Sequence, residues 1–229
     1  MNEGMTFDAT SGPTSDLPSR LASSTAPGAT SGQTSSPASD ARLDPASGLM
    51  RITSPRLELI ASTTALLEME LVSPQQLGVA LGAQVPDGWP PGEYDENAIR
   101  WLLDRLKAQP EAAGWFAWYA LLKGEPAPGA MPHLVAAGGY TGPPDEENKV
   151  EIGYSVVPAF GKRGIATEMV AALVQHAFTD VRTTRVIAHT YPSNVGSIRV
   201  LEKNGFMLEG PGSEEGTVRY GRERNVTAP

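Results

Sequence analysis

The stretch PAFGKRGIATE, at residues 158–168, decides the fold of this chain. It lies between a strand pattern at 150–157 and a helix pattern that begins near Ile165. Backbone N–H groups that converge in a glycine-containing turn before a helix bind anions, because they point along the positive end of the helix dipole. Lys162 and Arg163 add positive charge beside that turn. The stretch therefore predicts a phosphate-binding turn, although taken alone it is equally typical of an ordinary strand-to-helix connection. Its spacing is neither that of a Walker P-loop nor that of a dinucleotide-binding glycine motif.

A second stretch, NVGSIRVLEKNGF at residues 194–206, predicts a helix over 194–204 that ends at Asn204-Gly205. Asn194 and Ser197 lie on one face of that helix, and such a face suits a polar, extended ligand. The same residues also fit a plain helix with Asn194 as its N-cap. For this stretch alone, the ligand-binding and the structural interpretations are both open.

Together the two stretches resemble the acetyl-CoA-binding signature of the GCN5-related N-acetyltransferases, the GNAT superfamily. The resemblance spans residues 50–224 and is strongest over 150–206. Arg56-Leu57-x-Leu59 is also similar to the first strand of the branch that acetylates ribosomal-protein N-termini. The residues that match the family's motifs are Gly164 and Ala166 in the turn, and Asn194, Ser197, Glu202, Lys203, Gly205 and Phe206 downstream.

The remaining hydrophobic patterns predict an α/β (α+β) fold, with a mixed, mostly antiparallel sheet of about seven strands flanked by helices. The predicted strands are Leu57–Ile60, Trp115–Leu122, Leu134–Thr141, Val150–Val157, Val186–Thr190, 206–209 and 217–223. The predicted helices cover 62–82 (divided at Pro74), 96–108, 165–178 and 194–204. The resemblance adds that one strand pair of the sheet splays apart to hold acetyl-CoA.

Composition bounds the organisation of the chain. Ser, Thr, Pro, Gly and Ala fill 33 of the first 48 positions, which predicts a disordered tail over 1–48 and one folded domain over 49–229. With no cysteine, disulfides and cysteine acyl-enzymes are excluded, and the three histidines fit no metal-ligand spacing. The net charge of -8 disfavours nucleic acid as a partner. Neither a membrane span nor a secretory signal is recognisable, so we expect a cytoplasmic protein.

The resemblance implies an N-acetyltransferase that moves the acetyl group of acetyl-CoA directly to a primary amine, on a protein N-terminus or a small molecule, within a ternary complex. It implies no metal. The alternatives are a GNAT-fold module that binds CoA without catalysis and a transferase of a different acyl group. Similar proteins are often homodimers, which makes a homodimer one expectation for this chain. The implied cofactor contacts are Val156, Val157, Lys162, Arg163, Gly164, Ile165, Ala166, Thr167, Asn194 and Ser197.

The chemistry of such a transfer needs a base for the amine and a proton donor for the leaving thiolate. The resemblance implies Glu151 as the base, with a water chain or a merely polar role for Glu151 as the alternatives. It implies that Ser197 lies near the thioester sulfur, where Ser197 or water would donate the proton. Two positions depart from the family pattern: Gly161 replaces the Arg or Gln of the turn, and Leu201 replaces a tyrosine that acts as the acid in many members. His189 either lines the amine side of the cleft, where it could relay protons, or is a structural histidine.

The acceptor side is expected to be built from residues 66–97 and the last two strands. Trp89 and Tyr94 are candidates for an aromatic entrance. Acidic side chains that would attract a cationic amine, or lie idle in solvent, are Glu68, Glu70, Glu93 and Asp95.

Overall fold

The computed structural model describes residues 41–124 and 129–225. Residues 1–40, most of the predicted tail, lie outside the described residues. Arg42–Leu43, which the sequence analysis assigned to the tail, forms the first strand, β1, and pairs with Met50 and Arg51. The chain therefore joins the sheet before residue 49, the boundary predicted from composition.

One sheet of nine strands organises the described residues, in the order β1-β2-β3-β4-β5-β6-β7-β9-β8. All neighbours are antiparallel except β6 and β7, which are parallel. The predicted mixed, mostly antiparallel sheet is confirmed, and its size is corrected from about seven strands to nine. The strands are β1 (Arg42–Leu43), β2 (Met50–Thr53), β3 (Leu57–Ala61), β4 (Ala117–Leu122), β5 (His133–Tyr140), β6 (Lys149–Val156), β7 (Arg185–Thr190), β8 (Met207–Pro211) and β9 (Val218–Glu223).

Five α-helices flank this sheet in the described part of the chain. The predicted division at Pro74 is confirmed, since one helix ends at Val72 and the next starts with Pro74 in its first turn, capped by Ser73. Proline suits that position because its missing N–H would have no partner there. The helices are α1 (Thr64–Val72), α2 (Pro74–Leu81), α3 (Glu96–Ala108), α4 (Ile165–Ala177) and α5 (Val195–Lys203).

Two hydrophobic layers lie on opposite faces of the sheet. Helices α1, α2 and α3 pack on one face, where Leu67 and Leu102 are buried against Tyr119 of β4. Helices α4 and α5 pack on the other, where Leu173 and Leu201 are buried. None of the helices within residues 41–124 and 129–225 is long and apolar enough to cross a membrane.

Candidate active site

A fork between β6 and β7 is the feature that organises the site. The two strands pair only at their first residues, Lys149 to Glu151 opposite Arg185 to Ile187. Beyond Glu151, β6 stays paired with β5, while Ala188 to Thr190 of β7 pair with β9. The strands therefore part in the middle of the sheet and leave two backbone edges facing a gap, which is the splayed pair that the resemblance implied.

Alternation along β6 decides which backbone groups face that gap. The Val157 N–H donates to the Val135 carbonyl at 2.9 Å, and the Thr141 N–H donates to the Glu151 carbonyl at 3.1 Å. Since an antiparallel strand turns alternate residues toward opposite neighbours, the N–H of Val156 points into the gap. The resemblance implied contacts from both Val156 and Val157, but the N–H of Val157 is already bonded to β5.

The turn after β6 presents backbone N–H groups at the start of α4. Lys162 has φ 58° and Gly164 has φ 77°, both in the left-handed region that a compact turn requires. Gly164 is the N-cap and makes no side-chain cap bond, and the first helical bond runs from the Glu168 N–H to the Gly164 carbonyl. The N–H groups of Ile165 to Thr167 thus have no partner within the helix and are oriented for an anion.

A groove of about 650 Å³ runs along this turn, between β6 and α5. Lys162, Arg199 and Lys203 contribute positive charge to its walls. Arg199 and Lys203 were not predicted as site residues, although their spacing of four residues places them on one face of the helix. The other residues that line the groove are Val156, Pro158, Phe160, Gly161, Gly164, Ile165, Ala166, Thr167, Val195, Gly196 and Val200.

Arg163 is not among the residues that line this groove. Its guanidinium lies 5.4 Å from the centroid of the Phe160 ring. Its carbonyl accepts a hydrogen bond from Nη1 of Arg56 at 2.9 Å. Arg163 is therefore placed to shape the turn through its backbone.

A brace formed by Arg56 and Glu168 holds the turn from behind. Glu168 Oε2 accepts from Arg56 Nε at 2.7 Å, and Oε1 accepts from the Arg56 N–H and the Ser54 hydroxyl, both at 2.7 Å. Burial raises the pKa of the Glu168 carboxyl, but the donors from Arg56 and Ser54 outweigh burial and hold that pKa below its usual range. The brace ties the loop before β3 to the first turn of α4.

The N-terminus of α5 closes over the gap. Asn194 caps the helix, with its Oδ1 accepting from the Ser197 N–H at 3.0 Å. The Ser197 hydroxyl lies 3.0 Å from the Tyr154 hydroxyl of β6 and is buried. Neither Asn194 nor Ser197 lines the groove beside the turn. Both lie further along the gap, beside the strand rather than beside the turn.

Glu151 and His189 meet where the strands part. Oε1 of Glu151 lies 2.9 Å from Nδ1 of His189, and their side chains are 18% and 5% exposed. The even-numbered residues of β6, such as Ile152, pack on the α4 face of the sheet. Glu151 therefore points to the opposite face, away from the groove. The groove and the Glu151 carboxylate thus lie on opposite faces of the sheet at the fork.

Comparison with known proteins identifies the family of this chain. The chain matches the family model of the acetyltransferase (GNAT) domain over residues 80–207, more than half of its 229 residues. The protein belongs to the GNAT acetyltransferase family. Its curated relatives are named as N-acetyltransferases, and it is an acetyl-CoA-dependent acyltransferase.

Similarity to individual proteins is distant but covers most of the domain. The chain is 26% identical over 159 residues to an uncharacterized N-acetyltransferase of Bacillus subtilis, YjdG, covering 69% of this chain and 90% of the relative. The structure is similar to RimL, a ribosomal L7/L12 alpha-N-protein acetyltransferase (TM-score 0.51, 18% identity, 77% of this chain and 96% of that one). It is also similar to RimJ of Mycobacterium smegmatis in complex with CoA-disulfide (TM-score 0.50, 19% identity, 76% and 84%). At these identities the two structures show the fold alone.

The groove of this GNAT enzyme fits the chemistry of acetyl-CoA. The molecule is anionic at its phosphates and carries amides along its pantetheine arm. The uncapped start of α4 and the cations Lys162, Arg199 and Lys203 match the phosphates. The inward-facing N–H of Val156 matches the arm, because an exposed strand edge binds an extended chain of amides. The residues present are therefore compatible with the cosubstrate of the family.

Two departures from the family motifs have structural outcomes. Leu201, in place of the tyrosine, is fully buried in the core between α5 and the sheet, so its side chain does not reach the gap. Gly161, in place of Arg or Gln, lines the groove without a side chain. Lys162 lines the groove next to it and supplies positive charge.

The expected acceptor entrance is wrong in its main residues. Glu70 is 4% exposed and accepts hydrogen bonds from Trp89 Nε1 at 2.8 Å, the Tyr94 hydroxyl at 2.9 Å and the Tyr119 hydroxyl at 2.6 Å. Burial raises the pKa of the Glu70 carboxyl, although the three donors act against it. These side chains form a closed polar cluster under the loop before α3.

The other acidic leads also have structural partners. Glu68 pairs with Lys107 at 2.7 Å. Asp95 caps α3 by accepting from the Ala98 N–H at 2.9 Å. Glu68 and Asp95, which were expected to attract the amine, thus each interact with another group of the protein.

Proposed function

We propose that this enzyme transfers the acetyl group of acetyl-CoA directly to a primary amine, with both substrates bound together. The observation that carries the proposal is the fork between β6 and β7, with an anion-binding turn on one side and the Glu151 carboxylate on the other. Two separate approaches to one point suit a ternary complex, because neither substrate has to leave before the other enters. The acceptor is either a protein N-terminus, as in the name of RimL, or a small amine.

Acetyl-CoA would lie in the groove with its phosphates on the turn and its arm along β6. The proposed contacts in the groove are Val156, Lys162, Gly164, Ile165, Ala166 and Thr167, to which we add Arg199 and Lys203 from the groove lining. Asn194 and Ser197 stay proposed contacts of the arm outside that lining, whereas the implied contacts of Val157 and Arg163 have no support from the groove lining. Of the two valines, Val156 supplies an N–H to the thioester side, and Val157 supports the loop of residues 86–92, since a side chain at Gly88 would contact it at 3.9 Å. A backbone N–H fixed in this way stabilises the oxyanion that forms during acyl transfer.

The chemical step requires two proton movements. The neutral amine attacks the thioester carbonyl, a C–N bond forms, and the C–S bond breaks. Glu151 takes the proton that the amine nitrogen loses, from the face of the sheet opposite the groove. The departing thiolate takes a proton from the Ser197 hydroxyl, which the Tyr154 hydroxyl holds in place at 3.0 Å. Ser197 then regains a proton from solvent and Glu151 releases the amine's proton to solvent, so that both groups return to their starting states. This path supplies the acid that Leu201 does not provide.

Calorimetric titration with acetyl-CoA, with ATP and NAD as controls, tests the groove first. Selective binding of acetyl-CoA is expected, followed by thiol release when the acceptor is an N-terminal peptide or a small primary amine. Binding without turnover across both acceptor sets would favour the non-catalytic CoA-binding module. Faster thiol release from another acyl-CoA would favour the alternative acyl group.

A matched pair of variants tests the turn. Gly164→Glu places a side chain and a negative charge in the anion site, so binding of acetyl-CoA should be lost. Gly82→Glu is the control, because Gly82 also has positive φ (61°) and ends α2 on the other face of the sheet. It carries the same charge change and a similar backbone strain. Equal affinity in the two variants would rule out the turn as the phosphate site.

A further inference from the structure

His189 is positioned by the fold in a way that the proposed reaction does not yet use. It lies two residues beyond Ile187, which is the last residue of β7 to pair with β6. Side chains two residues apart on a strand share a face, and Ile187 is the register partner of Glu151. His189 therefore lies on the same face of the sheet as Glu151, just beyond the point where the strands separate, within hydrogen-bond distance of Glu151.

The imidazole is fixed from its other side. A side chain at Gly212 would come within 3.0 Å of Cδ2 of His189, so the loop between β8 and β9 packs directly on the ring edge. That loop is closed by the Gly212 N–H, which donates to the Thr217 carbonyl at 2.8 Å. With only 5% of its side chain exposed, the ring has little freedom to turn away from Glu151.

Glu151 is the more accessible member of the pair, at 18% exposure. A glutamate has several rotatable side-chain bonds, and only some of its rotamers direct a carboxylate oxygen at a bound amine. A ring N–H that holds Oε1 removes that freedom and leaves Oε2 to meet the amine. The carboxylate can only accept, so this hydrogen bond requires a proton on Nδ1 of the ring.

We propose that His189 is a positioning residue for the acetyl transfer, which donates Nδ1–H to Oε1 of Glu151 and thereby aims Oε2 at the acceptor amine. The inference rests on the proposed function, in which Glu151 takes the proton of the amine. In that step the N–H bond of the amine breaks and its proton passes to Oε2, while the proton on Nδ1 of His189 stays in place. His189 thus acts through Glu151 and does not itself exchange a proton with the substrate.

Two substitutions at His189 separate this role from others. Asn retains an N–H donor at the same number of bonds from Cα as Nδ1, but it does not titrate, whereas Leu fills similar space without a donor. With acetyl-CoA and a primary amine as substrates, His189→Leu should lower kcat by about 10-fold or more, a part of the ~10²–10⁴-fold that a general base contributes. The KM for acetyl-CoA should stay within about twofold, and His189→Asn should recover most of kcat. An Asn variant as slow as the Leu variant, at unchanged thermal stability, would overturn the proposal, because it would show that the ring must titrate.

A spectroscopic measurement on the full chain is independent of turnover. The sequence has three histidines, so long-range ¹H–¹⁵N correlation spectra resolve each ring, and His189→Asn identifies the signals of His189. The proposal expects the Nδ1–H tautomer in the wild type and its loss in Glu151→Leu. An Nε2–H tautomer in the wild type would overturn it. Absence of turnover in the wild type would refute the proposed function instead, and the tautomer would then decide by itself whether His189 holds Glu151.

Discussion

Removal of the brace behind the phosphate turn should weaken both the fold and the binding of acetyl-CoA. The substitution Glu168→Ala removes the carboxylate that accepts four hydrogen bonds. The donors are the side-chain and backbone N–H groups of Arg56, the Ser54 hydroxyl and the Leu57 N–H. A hydrogen bond to a charged group contributes about 1.5–3 kcal/mol. Three of the four donors share Oε1, and the Arg56 side chain is 47% exposed, so the bonds do not add up fully. We therefore expect a loss of about 3 kcal/mol in the free energy of unfolding.

Two assays check that value. Urea unfolding gives the free energy directly, and a loss of about 3 kcal/mol corresponds to a fall of about 6–12 °C in Tm for a chain of this size. Calorimetric titration should show acetyl-CoA affinity reduced by about 10-fold, or ~1.4 kcal/mol, because Arg56 no longer holds the Arg163 carbonyl of the turn. Glu96→Ala is the control, since Glu96 also lies in the first turn of a helix and pairs with Arg100.

The control pair is exposed on both sides, at 60% and 69%, and should contribute less than about 1 kcal/mol. The effect of Glu168 also depends on pH. Its pKa is lower in the folded chain than in the unfolded chain, so its stabilisation is complete above the unfolded pKa and is lost as the pH falls through the folded pKa. The difference between wild type and Glu168→Ala should therefore shrink below about pH 4. Equal stability and equal affinity for Glu168→Ala and Glu96→Ala would refute the reasoning.

Three further predictions concern other parts of the molecule. Glu70→Leu removes the acceptor that Trp89, Tyr94 and Tyr119 share and should lower the free energy of unfolding by about 3 kcal/mol in urea titrations. A loss below about 1 kcal/mol would contradict a stabilising role for this cluster. Burial lowers the pKa of His176, so below neutral pH the unfolded chain binds more protons than the folded chain. The free energy of unfolding should therefore fall as the pH drops from about 7 towards 5. His176→Phe should reduce this dependence on pH, and an unchanged dependence would refute the prediction. Arg199→Ala and Lys203→Ala should each raise the KM for acetyl-CoA several-fold with kcat nearly unchanged, most clearly at low salt; a fall in kcat alone would exclude a phosphate contact.

Most helices and strands follow from patterns that are local in the sequence. The helix at 96–108 was predicted because Asp95 or Asn97 could cap it and the apolar residues repeat at helical spacing, and the structure has Asp95 as the cap. Strands β1 and β2 were missed. Each is short: β1 has only two residues, and β2 (MRIT) alternates apolar with polar residues over only four positions, a pattern too brief to mark a strand by itself.

The site was predictable only where its residues are neighbours in the chain. The turn at 158–168 and the cap at Asn194 are contiguous motifs. The contact between Glu151 and His189 depends instead on the parallel register of two strands, which no local pattern specifies. Glu70 was misinterpreted for the same reason, since its three donors come from two distant segments and their hydroxyl and indole groups become its partners only after folding.

Because residues alternate along β6, the proposed cosubstrate contacts and the proposed acceptor contacts come from different parts of the chain. Cofactor binding would draw on the main chain of alternate residues and on the N–H groups at the start of α4, which nearly any amino acid supplies. Acceptor choice would draw on the intervening side chains, such as Glu151, which point to the other face. Mutations of those side chains can therefore change the preferred amine without weakening the binding of acetyl-CoA. Contacts made by main-chain groups depend little on residue identity, which is consistent with a fold shared at 18–19% identity.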